Sequence, residues 1–129
     1  MLKIQNSKPR TKIGRKQYDL EERTFLFVKE CRDFIKKIIK NMSNFEYSKQ
    51  LIRSSGSVVA NYIEANESLS RKDFAHRIRI CRKEAKESRI WLRLIETGSS
   101  FELKAKRQNL TQEALELTKI FACILGKSL

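Results

Sequence analysis

The sequence predicts an all-α protein, an antiparallel up-down-up-down four-helix bundle in one domain of a 129-residue chain. Three observations predict it. Apolar residues recur at spacings of three and four along four stretches, which is the period of a helix rather than a strand. The chain is rich in Leu, Ile, Lys, Arg and Glu and has only 1 Pro and 4 Gly, which favours long helices over sheet. Short links separate the stretches, so sequential helices are expected to lie antiparallel to one another.

Residues 1–17 carry Lys3, Lys8, Arg10, Lys12, Arg15 and Lys16 and no acid, and Pro9 and Gly14 interrupt any helix. We read this segment as a basic, flexible N-terminal arm that can add phosphate contacts, ahead of a bundle domain over 18–129. The first helix is expected from Leu20 to Lys40. Asp19 and Glu22 stand at capping-box spacing, and Thr24, Phe27, Val28, Cys31, Phe34, Ile35 and Ile38 form its core stripe. Asn41-Met42-Ser43 is read as the turn.

The second helix is expected over Asn44–Asn66, with Ser43 as cap and Glu46 at the box position. Tyr47, Leu51, Ser55, Val58, Val59, Tyr62 and Ile63 make its stripe. Its centre, Ser54-Ser55-Gly56-Ser57, weakens helicity, Gly alone by ~1 kcal/mol relative to Ala, but small side chains permit a tight helix crossing. Ser70, with Asp73 at the box position, caps a third helix that reaches Thr97, with Gly98 as C′ residue. Ser99 with Glu102 caps a fourth from Phe101 to Leu125, stopped by Gly126. Leu103, Leu110, Ala114, Leu117, Phe121 and Ile124 are its core positions.

The third helix organises the rest. Turning ~100° per residue sorts it onto three faces. Phe74, Ile78, Cys81, Ala85, Leu92 and Ile95 form the apolar stripe. Arg79, Arg82, Lys86, Arg89 and Arg93 form a cationic stripe at the same rhythm. Ile80, Glu84, Glu87, Trp91 and Leu94 fall on a third, mixed face that needs a partner, either another helix of the chain or another subunit. Like charges at i,i+4 cost a few tenths of a kcal/mol each, so a row of cations is unfavourable without a polyanion beside it. The blander alternative is a solvated face. With Lys72 added at the N-terminal end, the candidate phosphate contacts are Lys72, Arg79, Arg82, Lys86, Arg89 and Arg93. The candidate oligomer interface is Ile80, Trp91 and Leu94.

The net charge of +13 agrees with a polyanionic partner. Cys31, Cys81 and Cys123 are three, far apart and each inside a helical pattern, so they read as buried, reduced thiols rather than a disulfide framework. His76 has no second ligand at metal spacing and reads as a surface histidine. No metal or other cofactor is expected. No apolar run approaches the ~18 residues of a membrane span, and the N-terminus lacks a signal-peptide core. No membrane association and a cytoplasmic location are expected.

Arg53, Ser57, Asn61 and Glu64 share one side of the second helix, and Glu84, Glu87 and Ser88 group on the third. Antiparallel neighbours would bring Arg53 to Glu87 or Glu84. A buried Arg–carboxylate network positions helices more than it stabilises them. Acid–base catalysis by the two carboxylates needs a pocket that a small-residue crossing leaves little room for, so no catalytic residue is assigned.

The run Arg53-Ser54-Ser55-Gly56-Ser57-Val58-Val59-Ala60-Asn61-Tyr62-Ile63-Glu64-Ala65 resembles a family signature. So do Ser70-Arg71-Lys72-Asp73-Phe74 and Glu84-Ala85-Lys86-Glu87-Ser88 with Trp91-Leu92. The family is the bacterial four-helix-bundle proteins first noted as encoded in intervening sequences within 23S ribosomal RNA genes, and the resemblance covers about Tyr18 to Leu125. Ala65 departs mildly, standing where many members have Gly. The resemblance implies an antiparallel bundle, a ring-like pentamer and no known catalytic residue. It also implies that Arg53, Asn61, Glu64, Glu84 and Glu87 organise the bundle or its subunit contacts. A related branch comprises accessory proteins of diversity-generating retroelements, which associate with a reverse transcriptase and nucleic acid. The expected function is that of a non-enzymatic, oligomeric RNA- or nucleic-acid-binding bundle. The alternative is a scaffold that docks a protein such as a reverse transcriptase.

Overall fold

A computed structural model of the chain describes residues 19–128, with side chains to Gly126. The basic arm over 1–17 lies outside the described residues. The four helices are α1 (Leu20–Lys37), α2 (Met42–Asn66), α3 (Arg71–Leu94) and α4 (Phe101–Ser128), and no strand occurs among the described residues. Each helix packs on its chain neighbour, and α1 closes the bundle against α4. The α2–α3 and α3–α4 seams are the extensive ones, so α3 is the most enclosed of the four.

The caps explain where the helices begin. The Asp19 carboxylate accepts from the Glu22 N–H at 2.8 Å and the Ser70 hydroxyl from the Asp73 N–H at 3.0 Å, both as the spacing predicts. Two of the N-caps differ from expectation. Asn41, rather than Ser43, caps α2, its side chain accepting from the Asn44 N–H at 2.8 Å. Consequently α1 ends at Lys37 and Ile38 is extended. Ser100, rather than Ser99, caps α4, accepting from the Leu103 N–H at 3.1 Å.

α3 stops at Leu94, short of Thr97. The Ile95 side chain is fully buried while its backbone is extended, and its carbonyl accepts from Arg107 of α4 at 2.7 Å. Gly98 lies in the following turn with φ +63°, the left-handed conformation that glycine tolerates best. Gly126 does not stop α4, which continues to Ser128. A glycine near a helix end costs helicity without forbidding it.

The core follows the stripes closely. Phe27, Cys31 and Phe34 of α1 meet Leu51, Val58 and Tyr62 of α2, all six of the expected α3 positions, and Leu110, Ala114, Leu117 and Phe121 of α4. Tyr62 and Phe121 pack as tilted rings 6.0 Å apart. Val28 and Val59, also expected in the stripes, are only half-buried, and two expectations fail outright. Ile63 is 42% exposed, because α2 is rotated so that Tyr62 and Ala65 face inward instead. Cys123 is exposed, and only Cys31 and Cys81 are buried, all three as free thiols.

Close approach occurs where Ser54 of α2 meets Ser88 of α3, their hydroxyls 2.7 Å apart and both buried. Each hydroxyl also has a carbonyl acceptor on its own helix, Glu84 for Ser88 at 2.9 Å and Leu51 for Ser54 at 3.4 Å, so either can donate across the contact. Gly56 takes no part in this crossing and has open space where a Cβ would stand.

Candidate nucleic-acid interface

The cationic stripe of α3 faces outward. Lys72, Arg79, Arg82, Lys86 and Arg93 are exposed, while Arg89 at the edge of the row is partly buried, its Nε enclosed with no hydrogen-bond partner among the described residues. Lys83 and His76 share the exposed face. Lys83 was missed in reading the sequence, although it stands four after Arg79 and three before Lys86 and so keeps the same rhythm.

Among the described residues, the ion pairs use Arg23, Arg32, Lys49, Arg53 and Lys106, and none of the six candidate cations. The physical reason lies in how α3 is rotated. Its two interior acids, Glu84 and Glu87, turn toward α2 and are taken by Arg53, leaving no acid on the outer row between Arg79 and Arg93. At ~1.5 Å per residue that row extends roughly 20 Å.

The α2–α3 seam carries the polar signature. Arg53 lies 3.6 Å from Glu84 and 3.3 Å from Glu87, and it also donates to Gln50 at 3.4 Å. Glu84 is buried but Arg53 is 53% exposed, so the network sits at the surface end of the seam rather than inside it. Asn61 donates to the Ser57 carbonyl and hydroxyl and accepts from Arg77 at 2.9 Å, binding α2 to α3 about two turns further on. Glu64 is exposed. The signature thus joins α2 to α3 through side chains that sequence spacing placed on facing sides, with Arg77 the participant the spacing did not single out.

The mixed face of α3 divides. Trp91 stacks on Tyr47 of α2, ring centroids 6.2 Å apart, so its main neighbour belongs to its own chain. Ile80 is half-buried, whereas Leu94 is 45% and Ile90 46% exposed.

A closely held charge lies elsewhere among the described residues. Arg23 of α1, only 4% exposed, grips Glu113 of α4 with two hydrogen bonds of 2.7 and 2.9 Å and Glu116 with one of 2.8 Å. Burial alone would lower the Arg23 pKa, but hydrogen bonds and charge from Glu113 and then Glu116 outweigh it and leave the guanidinium raised. No spacing rule could have found this cluster, because Arg23 stands 90 and 93 positions from its two acids.

No group of three His, Cys, Asp or Glu side chains suited to a metal ion occurs among the described residues. No described helix is long and apolar enough to cross a membrane.

The chain and its fold have named relatives. The family model described as 23S rRNA-intervening sequence protein matches residues 16–122. The chain belongs to that family. A solved structure of a protein of unknown function from the S23 ribosomal protein family of Bacteroides thetaiotaomicron superposes on it with a TM-score of 0.70. The two are 28% identical, over 81% of this chain and 96% of that one. No curated protein matches the chain. In this chain Arg53, Asn61, Glu84 and Glu87 meet across the α2–α3 seam, with Ser57 bonded to Asn61 within α2, and the outer row of α3 is one of the cationic surfaces without ion pairs among the described residues.

Proposed function

We propose that this protein is a non-enzymatic nucleic-acid-binding bundle that contacts RNA phosphates through the outer face of α3 and acts as a homo-oligomer. One observation carries the reading. Arg79, Arg82, Lys86 and Arg93 stand exposed along one side of α3, with the partly buried Arg89 between the last two, and the acids nearest to them are turned to Arg53. A row of unpaired cations repels itself, and phosphates relieve that repulsion while releasing condensed counterions. Contacts of this kind position a backbone and read shape rather than base sequence. The family description, which refers to intervening sequences of 23S rRNA, makes structured ribosomal RNA the first probe.

Oligomerisation is part of the same proposal, with a ring of five implied by the family resemblance. Exposed Leu94 and Ile90 are its supporting feature on α3, alongside half-buried Ile80. Trp91→Glu would also disturb the Tyr47 stack, so Leu94→Glu is the cleaner substitution. It should lower the sedimentation coefficient, and an unchanged coefficient would remove α3 from the subunit contact.

The test of the phosphate reading is a binding series on a structured ribosomal RNA fragment across salt concentrations, with mixed-sequence DNA as control. Four engaged cations predict a log–log salt slope of roughly −3 to −4. Changing Arg82, Lys86 and Arg93 to Gln should make that slope shallower by about 1 per residue. A slope unmoved by the triple change would reject α3 as the phosphate-binding face.

A further inference from the structure

α1 and α2 leave an open apolar cleft of about 870 Å³ between the end of the first helix and the opening turns of the second. Ile35 and Ile39 before the turn and Met42, Phe45 and Ile52 of α2 are among its lining residues. Four of these five are large apolar side chains in contact with solvent: Ile39 is 44% exposed, Met42 84%, Phe45 64% and Ile52 42%. No residue of α3 or α4 lines the cleft, so it is separate from the cationic row. An exposed apolar concavity of this size marks a docking surface.

The rim identifies the kind of occupant. Lys40 and Lys49 are part of the lining, and Lys36 is exposed beside Ile35. Around the cleft Lys36, Lys37 and Lys40 make no ion pair among the described residues, whereas Lys49 pairs with Glu46, Arg53 turns away to Glu84 and Glu87, and Glu96 accepts from Asn41 of the lining. Lys49 lies 5.1 Å over the Phe45 ring and 3.4 Å from Glu46, at the mouth of the apolar surface. An apolar floor with a cationic rim is complementary to a helix that is apolar on one side and acidic on the other.

We infer that the α1–α2 cleft docks an acidic amphipathic helix of a partner protein. The apolar anchors of that helix occupy the space between Ile39, Phe45 and Ile52, and its flanking carboxylates meet Lys40 and Lys49. The inference does not depend on phosphate binding by α3. The protein would then hold a protein partner on one side and a polyanion on another.

The test uses a labelled, designed amphipathic helix of about 18 residues, with Leu at i, i+3, i+4 and i+7 and Glu elsewhere, titrated against the full chain. A twin peptide with Lys in place of Glu is the control. The Glu peptide should bind, with amide shifts concentrated in residues 35–53. The Lys peptide should bind at least roughly tenfold more weakly. Lys40→Glu with Lys49→Glu, both on exposed side chains, should cost a similar factor, and Phe45→Asp should abolish binding. Arg82→Gln with Lys86→Gln should leave peptide affinity unchanged while weakening RNA binding, which separates failure here from failure of the α3 reading. Equal binding of the two peptides, or shifts centred outside the cleft, would overturn the inference. So would loss of oligomers in Phe45→Asp, because the occupant would then be a second copy.

Discussion

Asn44 holds both backbone groups of Glu96. Its side-chain oxygen accepts from the Glu96 N–H at 2.8 Å, and its amide nitrogen donates to the Glu96 carbonyl at 2.9 Å and to the Ile39 carbonyl at 3.0 Å. Asn44 is 1% exposed. One buried amide therefore satisfies three main-chain groups from two separate loops and locks the α1–α2 turn to the α3–α4 link. Asn44→Ala leaves those groups unpaired and should lower stability by about 2–3 kcal/mol, read as an earlier urea midpoint with an unchanged m-value. An unmoved midpoint would mean that water replaces the amide without cost.

The two arginine networks should behave differently. Arg23 is buried with Glu113 and Glu116, and Arg23→Ala strands Glu113, which is 13% exposed. The expected loss is about 3 kcal/mol. Arg53 is half-exposed and its ion-pair distances are longer, so Arg53→Ala should cost less than about 1 kcal/mol. Chemical denaturation of both variants decides the order, and equal losses would contradict it.

Two glycines should respond with opposite sign. Gly98 has φ +63°, and a Cβ there would stand 2.7 Å from Ile39 Cδ1, so Gly98→Ala should destabilise by about 1–2 kcal/mol. Gly56 is inside α2 with no atom within 4 Å of a Cβ position, so Gly56→Ala should raise stability by about 0.5–1 kcal/mol. Thermal melts of the pair provide the check. A destabilised Gly56→Ala would mean that the open space is filled by another subunit.

The three thiols should separate by reactivity. Exposed Cys123 should react with a thiol reagent in the folded protein, whereas Cys31 and Cys81 should react only as it unfolds. Burial pushes the Cys81 thiol from its ordinary 9.0 up to about 12, and raises Cys31 as well. Rapid labelling of all three would show that the core opens easily.

A pH dependence follows from the same burial. A thiol whose folded pKa is raised contributes stability that is complete below its unfolded value and is lost as pH climbs toward the folded one. Tyr62, pushed by burial from 10.0 to about 12, acts in the same direction. The urea midpoint should therefore fall between pH 9 and 12, each group removing up to about 1.4 kcal/mol per pH unit. Cys81→Ala should flatten that slope, and an identical slope in the variant would exclude Cys81 as a source.

Much of the fold was legible without tertiary information. Leu51, Val58 and Tyr62 in α2, and all six apolar positions in α3, lie inward as their periodicity predicts. The outward row from Arg79 to Arg93 was legible for the same reason, and so was the approach of Arg53 to Glu84 and Glu87. The angle between side chains on one helix is a local property of the backbone, set at ~100° per residue wherever the helix lies.

Other features needed the packed chain. Ile63 is exposed because Tyr62 and Ala65 compete for the same inward side and the packing of α2 decides between them. Ser43 has a capping spacing as good as that of Asn41, yet Asn41 caps α2 and its side chain also reaches Glu96 at 3.1 Å. Arg23 finds Glu113 across 90 positions. By itself the sequence determined which residues share a face of each helix and where charge collects along it. Only the tertiary structure decided how far each helix is turned about its axis and which distant polar groups meet, because those depend on packing against neighbours rather than on helix geometry.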